Sequence, residues 1–65
     1  MDEINNINDA IKFLEDKRGF TIKDVSMWKW NIKDEDIDWN FKNDTELIGY
    51  ANDQLVDYNE NDGDI

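Results

Sequence analysis

The stretch WKWNIKDEDIDWNF, residues 28–41, decides the fold. Apolar residues alternate with polar ones on both sides of an acidic turn, which is typical of two half-buried antiparallel strands. A loop centred on Asp34 and Glu35 predicts three apolar pairs on one face: Ile32 with Ile37, Trp30 with Trp39, and Trp28 with Phe41. The same register places Lys33 opposite Asp36 on the other face. The turn lacks an Asn-Gly or Asp-Gly pair, so its type stays open.

The aromatic residues of this hairpin form a stripe made of Trp28, Trp30, Trp39 and Phe41. Aromatic rings at alternating strand positions bury large areas, and we expect the stripe to lie in the core. The alternative is an exposed aromatic that anchors an interface, since net negative charge makes stacking on nucleic-acid bases improbable.

Upstream of the hairpin, residues 3–18 predict an amphipathic helix. Its apolar positions are Ile4, Ile7, Ala10, Ile11 and Leu14. We expect Asp2 or Asn5 to cap the start, Lys17 and Arg18 to favour the negative end of the helix dipole, and Gly19 to end the helix.

The connector, residues 20–26, gives a mixed signal that fits either a short strand or a helical turn. Within it, TIKDVS resembles the opening of the helix-turn-helix motif in repressors. That family continues with a glycine-containing turn and a recognition helix, whereas this chain continues with the Trp-rich alternation. The resemblance therefore implies no DNA binding.

Downstream, residues 44–58 predict a second helix, with Asn43 and Glu46 arranged as a capping box. Gly49 weakens this helix, and residues 59–65 are predicted to form a flexible acidic tail. The apolar face consists of Leu47, Ile48, Ala51, Leu55 and Tyr58. The expected fold is a single α+β domain, residues 1–58, ordered helix–β-hairpin–helix, with both helices on the aromatic face of a small antiparallel sheet. A two-stranded sheet is marginal alone, so we expect a third strand near Phe20 or pairing with a second copy.

The composition limits the chemistry of this 65-residue chain, which has no Cys and no His. Disulfides, the common zinc ligand sets and the usual nucleophile–base pairs are therefore excluded, and we expect no catalytic residues, no metal and no cofactor. Two acidic stretches imitate the spacing of calcium loops, but neither has glycine at the required position.

The charge of −10 is unevenly distributed. Residues 1–33 carry six acids and six bases, whereas residues 34–65 carry eleven acids and Lys42 as their one base. Such asymmetry favours an interaction surface, although acidic residues also simply keep small proteins soluble.

The candidate partner-binding residues form two groups, one at the hairpin turn and one on a single side of the second helix. They are Asp34, Glu35, Asp36, Asp38, Glu46, Tyr50, Asp53, Asp57 and Glu60. Rows of carboxylates offer a basic groove what a phosphate backbone offers. We therefore expect a small inhibitor of a nucleic-acid-binding protein or nuclease. In size, charge and a tyrosine-edged acidic helix, the chain resembles DNA-mimic proteins of phages and mobile elements.

The competing hypothesis is a non-enzymatic adaptor or homodimer that uses a hydrophobic surface. Both hypotheses place the protein in the cytosol, because the N-terminus has neither the basic nor the apolar region of a signal peptide. Neither involves a membrane or direct contact with nucleic acid, which an acidic surface would repel.

Overall fold

The computed structural model describes residues 3–25 and 29–62. Its elements are α1 (Ile7–Arg18), β1 (Thr21–Asp24), β2 (Trp30–Lys33), β3 (Asp38–Phe41) and α2 (Asp44–Asp62). The three strands form one antiparallel sheet in the order β1-β2-β3. The α+β class predicted from the sequence is confirmed.

The third strand is β1. The connector therefore forms a short strand, not a helical turn, from Thr21 to Asp24. It pairs with β2 so that Ile22 lies opposite Ile32, while Lys23 lies opposite Asn31. Because side chains alternate across a sheet, Ile22 and Ile32 share one face and the polar pair shares the other. The sheet is therefore apolar on one side only.

The predicted hairpin register is wrong by two residues. Trp30 pairs with Phe41, Ile32 with Trp39 and Lys33 with Asp38, and a four-residue loop, residues 34–37, joins the strands. The expected two-residue loop needs a turn type with positive φ, and no non-glycine residue described here has positive φ. The longer loop avoids that strain and is closed by the Asp34 amide, which donates to the Ile37 carbonyl at 2.8 Å. The predicted partner of Phe41, Trp28, lies outside the described residues.

Helix α1 begins four residues later than predicted. Its N-cap is Asn6, whose side chain accepts from the Asp9 amide at 2.9 Å and donates to the Asp9 carboxylate at 3.0 Å. This reciprocal pair satisfies the first turn of the helix better than Asn5 could. The C-terminal prediction is confirmed, because Gly19 has φ 76° and Lys17 and Arg18 lie in the last turn.

A side chain of α2 holds the segment before α1. The side-chain oxygen of Asn52 accepts a hydrogen bond from the Ile4 backbone N–H, and the side-chain nitrogen of Asn52 donates one to the Ile4 backbone carbonyl, both at 2.9 Å. Ile4 is almost fully buried, as its place in the predicted apolar face requires, but it lies before α1 and not in the helix that the periodicity predicted to include it. Asn52 thus replaces the backbone partners that Ile4 would have had in a helix.

Both helices pack on the apolar face of the sheet, as predicted. The buried core consists of Ile4, Ala10, Phe13, Leu14, Phe20, Ile32, Phe41, Leu47, Ala51 and Leu55. Aromatic pairs join the elements: the ring centroids of Phe13 in α1 and Tyr58 in α2 lie 5.7 Å apart, and those of Phe41 in β3 and Tyr50 in α2 lie 5.4 Å apart. The first pair holds the two helices together, and the second orients α2 over β3.

Helix α2 starts as predicted and ends later. The Glu46 amide donates to the Asn43 side chain at 2.9 Å, while the Glu46 carboxylate accepts from the Lys42 amide at 3.0 Å. The helix continues to Asp62, so residues 59–62, which we had assigned to the tail, are helical. The physical reason is that no glycine or proline interrupts the chain between Tyr58 and Gly63.

We predict that Asn52→Asp and Asn52→Ala each lower the free energy of unfolding by about 1–3 kcal/mol, because they remove bonds to a part-buried backbone segment. Urea denaturation measures the loss. The control is Asn8→Ala, which changes an exposed asparagine of α1 and should shift stability little. Equal effects at both positions would contradict the role assigned to Asn52.

Candidate functional site

Trp39 is the main departure from the predicted core, because its side chain is 64% exposed. It lies on the apolar face, opposite the buried Ile32, but on the edge strand β3. Helix α2 begins only three residues after β3 ends and therefore covers Phe41, through Tyr50, rather than Trp39. An indole on the helix-bearing side of the sheet is thus left open to solvent.

A shallow groove of about 570 Å³ separates Trp39 from α2. Its lining consists of Trp39, Asn40, Phe41, Lys42, Glu46, Gly49, Tyr50 and Asp53. The four residues from α2 stand at positions 46, 49, 50 and 53, the i, i+3, i+4, i+7 pattern of one side of a helix. Carboxylates stand toward both ends of that side, and a glycine lies between them.

Gly49 lines this groove without contributing a side chain to it. Its backbone has no unusual conformation that requires glycine, and a Cβ added there would meet nothing within 4 Å. Glycine inside a helix costs about 1 kcal/mol relative to alanine. The fold therefore gains no packing from Gly49, and the consequence of the missing side chain is space beside Trp39.

A smaller apolar recess of about 270 Å³ lies on the core side of the indole. Ile32, Ile37, Phe41 and Tyr50 line it together with Trp39. Exposed aromatic rings beside apolar recesses are typical of interface anchors.

Tyr50 connects the groove to both groups of predicted acidic residues. Its ring packs on Phe41 and, at 6.1 Å between centroids, on Phe20. Burial raises the pKa of Tyr50 above its ordinary value of 10.0, the charge of Arg18 lowers it, and the charge of Asp34 raises it. The charges of Arg18 and Asp34 thus act on this phenol in opposite directions.

The acidic row of α2 is divided by an ion pair. The Arg18 guanidinium binds the Asp57 carboxylate at 3.2 Å, donates to the Gln54 side chain at 3.2 Å, and lies 5.8 Å from the Tyr58 ring centre. Asp57, one of the predicted partner-binding residues, is therefore partly compensated by a base of α1. Glu46 and Asp53 line the groove, and Glu60 is exposed farther along α2.

The hairpin acids are spread along the loop and the edge strand. Glu35 and Asp36 are exposed in the loop. Asp38 lies opposite Lys33 on the polar face of the sheet, where it accepts a hydrogen bond from Asn31 at 2.9 Å. Asp38 also borders the outer side of Trp39.

The chemistry that these side chains support is the binding of cations. Carboxylates act as hydrogen-bond acceptors, and an exposed indole attracts cationic groups through its ring face. Among residues 3–25 and 29–62, no group of three or more acidic side chains is arranged to hold a metal ion. Organic cations, such as arginine and lysine side chains, fit this arrangement of rings and single carboxylates.

Comparison with protein-family models, curated proteins and solved structures found no match. Within the described part of the chain, neither helix is long and apolar enough to cross a membrane.

Of the residues that line the groove, the sequence analysis named Glu46, Tyr50 and Asp53 as candidates, gave Trp39 only within the alternative of an exposed aromatic, and did not name Gly49. A signal for Gly49 was present, because it lies three residues after Glu46 and four before Asp53. No sequence signal indicated that Arg18 would reach Asp57.

We predict that Tyr50 titrates above pH 10.0 in a Tyr58→Phe protein, in which it is the remaining tyrosine. Ultraviolet absorbance measures the phenolate. Adding Asp34→Asn should lower this midpoint, and adding Arg18→Gln should raise it, since each removes one of the two fields. Because the folded-state pKa is raised, the stabilisation linked to Tyr50 is present below pH 10.0 and lost as pH rises through the folded pKa. Unchanged midpoints in both variants would contradict the placement of these charges.

Proposed function

We propose that the chain is a non-enzymatic inhibitor that occupies the nucleic-acid-binding groove of a basic protein, such as a nuclease. Its carboxylates would take the places of phosphates. The observation that carries this proposal is the groove on α2, where Glu46, Tyr50 and Asp53 stand together beside the exposed Trp39. The charge of Asp34 on the hairpin loop acts on the pKa of the same tyrosine, against the opposite charge of Arg18.

The spacing of the exposed acids along α2 supports phosphate mimicry. Glu46, Asp53 and Glu60 recur every seven residues, a rise of about 10.5 Å along the helix axis. The row drifts by only about 20° around the helix per repeat, so the three carboxylates stay on one side of α2. A basic groove that binds a phosphate backbone likewise meets a series of negative charges along one direction.

The charge of the whole chain supports the same function. The net charge of −10 would attract a basic groove over a distance and accelerate association, and it would repel nucleic acid and anionic lipid. We place the encounter in the cytosol, where nucleic-acid enzymes of bacterial hosts act. This proposal covers inhibitors of the phage or mobile-element counter-defence type.

A second candidate function is an adaptor or homodimer, which the exposure of Trp39 (64%) and Val56 (57%) favours. These two apolar side chains could join two copies or bind an uncharged partner. Self-association is opposed by the charge of −10 on each copy, so the acidic inhibitor remains the function that the surface supports best.

The test is capture of proteins from a bacterial lysate by the immobilised chain, followed by elution with duplex DNA and, separately, with salt. We predict that Glu46→Gln combined with Asp53→Asn weakens binding of the DNA-eluted proteins by about tenfold or more, because it removes two groove charges. Gln at position 46 keeps an oxygen for the Lys42 amide, so the helix start is preserved.

The matched control is Glu15→Gln combined with Asp16→Asn, which removes the same charge from exposed positions of α1. It should reduce binding much less. Partners that stay bound through high salt, resist DNA and ignore Glu46 and Asp53 would refute mimicry and favour the adaptor.

A further inference from the structure

We propose that the groove between Trp39 and α2 binds one arginine side chain of the basic partner. The guanidinium would stack on the indole and donate hydrogen bonds to Glu46 or Asp53. The inference rests on the proposed function and adds to it a defined recognition point. It joins three observations: an exposed ring, carboxylates on the opposite wall, and a glycine that leaves room between them.

The chain already combines a cation, an aromatic ring and a carboxylate at two other places. Arg18 lies over Tyr58 and binds Asp57. The Lys29 ammonium lies 5.2 Å from the ring centre of Trp30 and 3.6 Å from the Asp24 carboxylate. In both places the cation lies near an aromatic ring and forms an ion pair with a carboxylate, and at Arg18 the ion pair is also a hydrogen bond.

Trp39 offers the same combination to a partner. Its ring and the carboxylates of Glu46 and Asp53 border one groove, with no side chain at Gly49 to block the approach. A guanidinium is planar, so it can stack on the indole and still donate hydrogen bonds in its own plane toward α2. An ammonium lacks that plane and fits the arrangement less well.

Charge decides between the occupants that this groove could take. The acids around Trp39 are Asp38, Glu46 and Asp53, and the base is Lys42, which leaves a net charge of −2. A second copy of the chain would bring a further −10 against this surface, and an apolar segment would remove water from the charged carboxylates without replacing its hydrogen bonds. A cationic side chain with an apolar stem satisfies both the ring and the acids.

The experiment is a nuclear magnetic resonance titration of the full chain with a short peptide of alternating arginine and glycine, and with its lysine counterpart. The indole N–H signal of Trp39 is assigned by its loss in Trp39→Phe. We expect the arginine peptide to shift this signal and to bind at least about threefold more tightly than the lysine peptide. The Trp30 indole N–H, which donates to Asp44 at 2.7 Å, should move less.

Two substitutions at Gly49 separate binding from folding. Gly49→Ala should raise the thermal midpoint, and Gly49→Leu should weaken the arginine peptide by about tenfold or more while the fold stays intact, because its side chain fills the groove. The matched control is Val56→Leu, an exposed position of α2 that does not line the groove. It should leave peptide affinity unchanged.

Several results would overturn the proposed arginine site. They are the absence of peptide binding at low salt, equal affinity for both peptides, an unmoved Trp39 signal, or full binding by Gly49→Leu. A Trp39 signal that shifts with protein concentration alone would instead identify a second copy as the occupant. The proposed function would survive these results if captured partners still depended on Glu46 and Asp53, so the two failures are distinguishable.

Discussion

The packing of the Tyr50 ring on Phe41 and Phe20 is the contact on which the rest of this small structure depends. It fixes α2 against the edge strand in a chain that has no disulfide to hold it. The same contact turns the side of α2 that carries Glu46 and Asp53 toward Trp39. One aromatic contact therefore both stabilises the fold and builds the candidate binding surface.

In the sequence, the acidic residues and the aromatic stripe pointed to two competing functions. In the structure, members of both groups line the groove beside Trp39. Asp57 is paired with Arg18, whereas Glu46 and Asp53 stand across a groove from an exposed indole. Carboxylates give a partner long-range attraction, and an aromatic ring gives a point of short-range recognition. In the proposed function, this surface would attract basic proteins broadly and would select among them by the placement of a single cationic side chain.

The sequence predicted the architecture because the relevant signals are periodic. Alternation around residues 28–41 indicated the hairpin, and helical spacing indicated Leu47, Ala51 and Leu55 as the buried side of α2. Periodicity could not fix the register, because a shift of two residues leaves every side chain on the same face. Only the backbone geometry of the loop distinguishes the two registers. In the observed register Trp39 lies opposite Ile32 and not opposite Trp30.

Side-chain contacts between residues far apart in the sequence could not be predicted for a different reason. The clamp of Asn52 on Ile4 and the pairing of Arg18 with Asp57 depend on how α2 crosses the segments before and at the end of α1. A side chain that serves such a contact has no periodic partner in the sequence. Helical spacing placed the acidic residues on one side of α2, but it could not show which of them form ion pairs with basic residues.

The most direct test of the central claim is the salt dependence of affinity for one purified partner that duplex DNA displaces. The account predicts a dissociation constant that rises steeply with salt for the natural chain and less steeply after Glu46→Gln and Asp53→Asn, because two charge contacts are lost. An identical salt dependence for both proteins would contradict the claim that this side of α2 takes the place of phosphates.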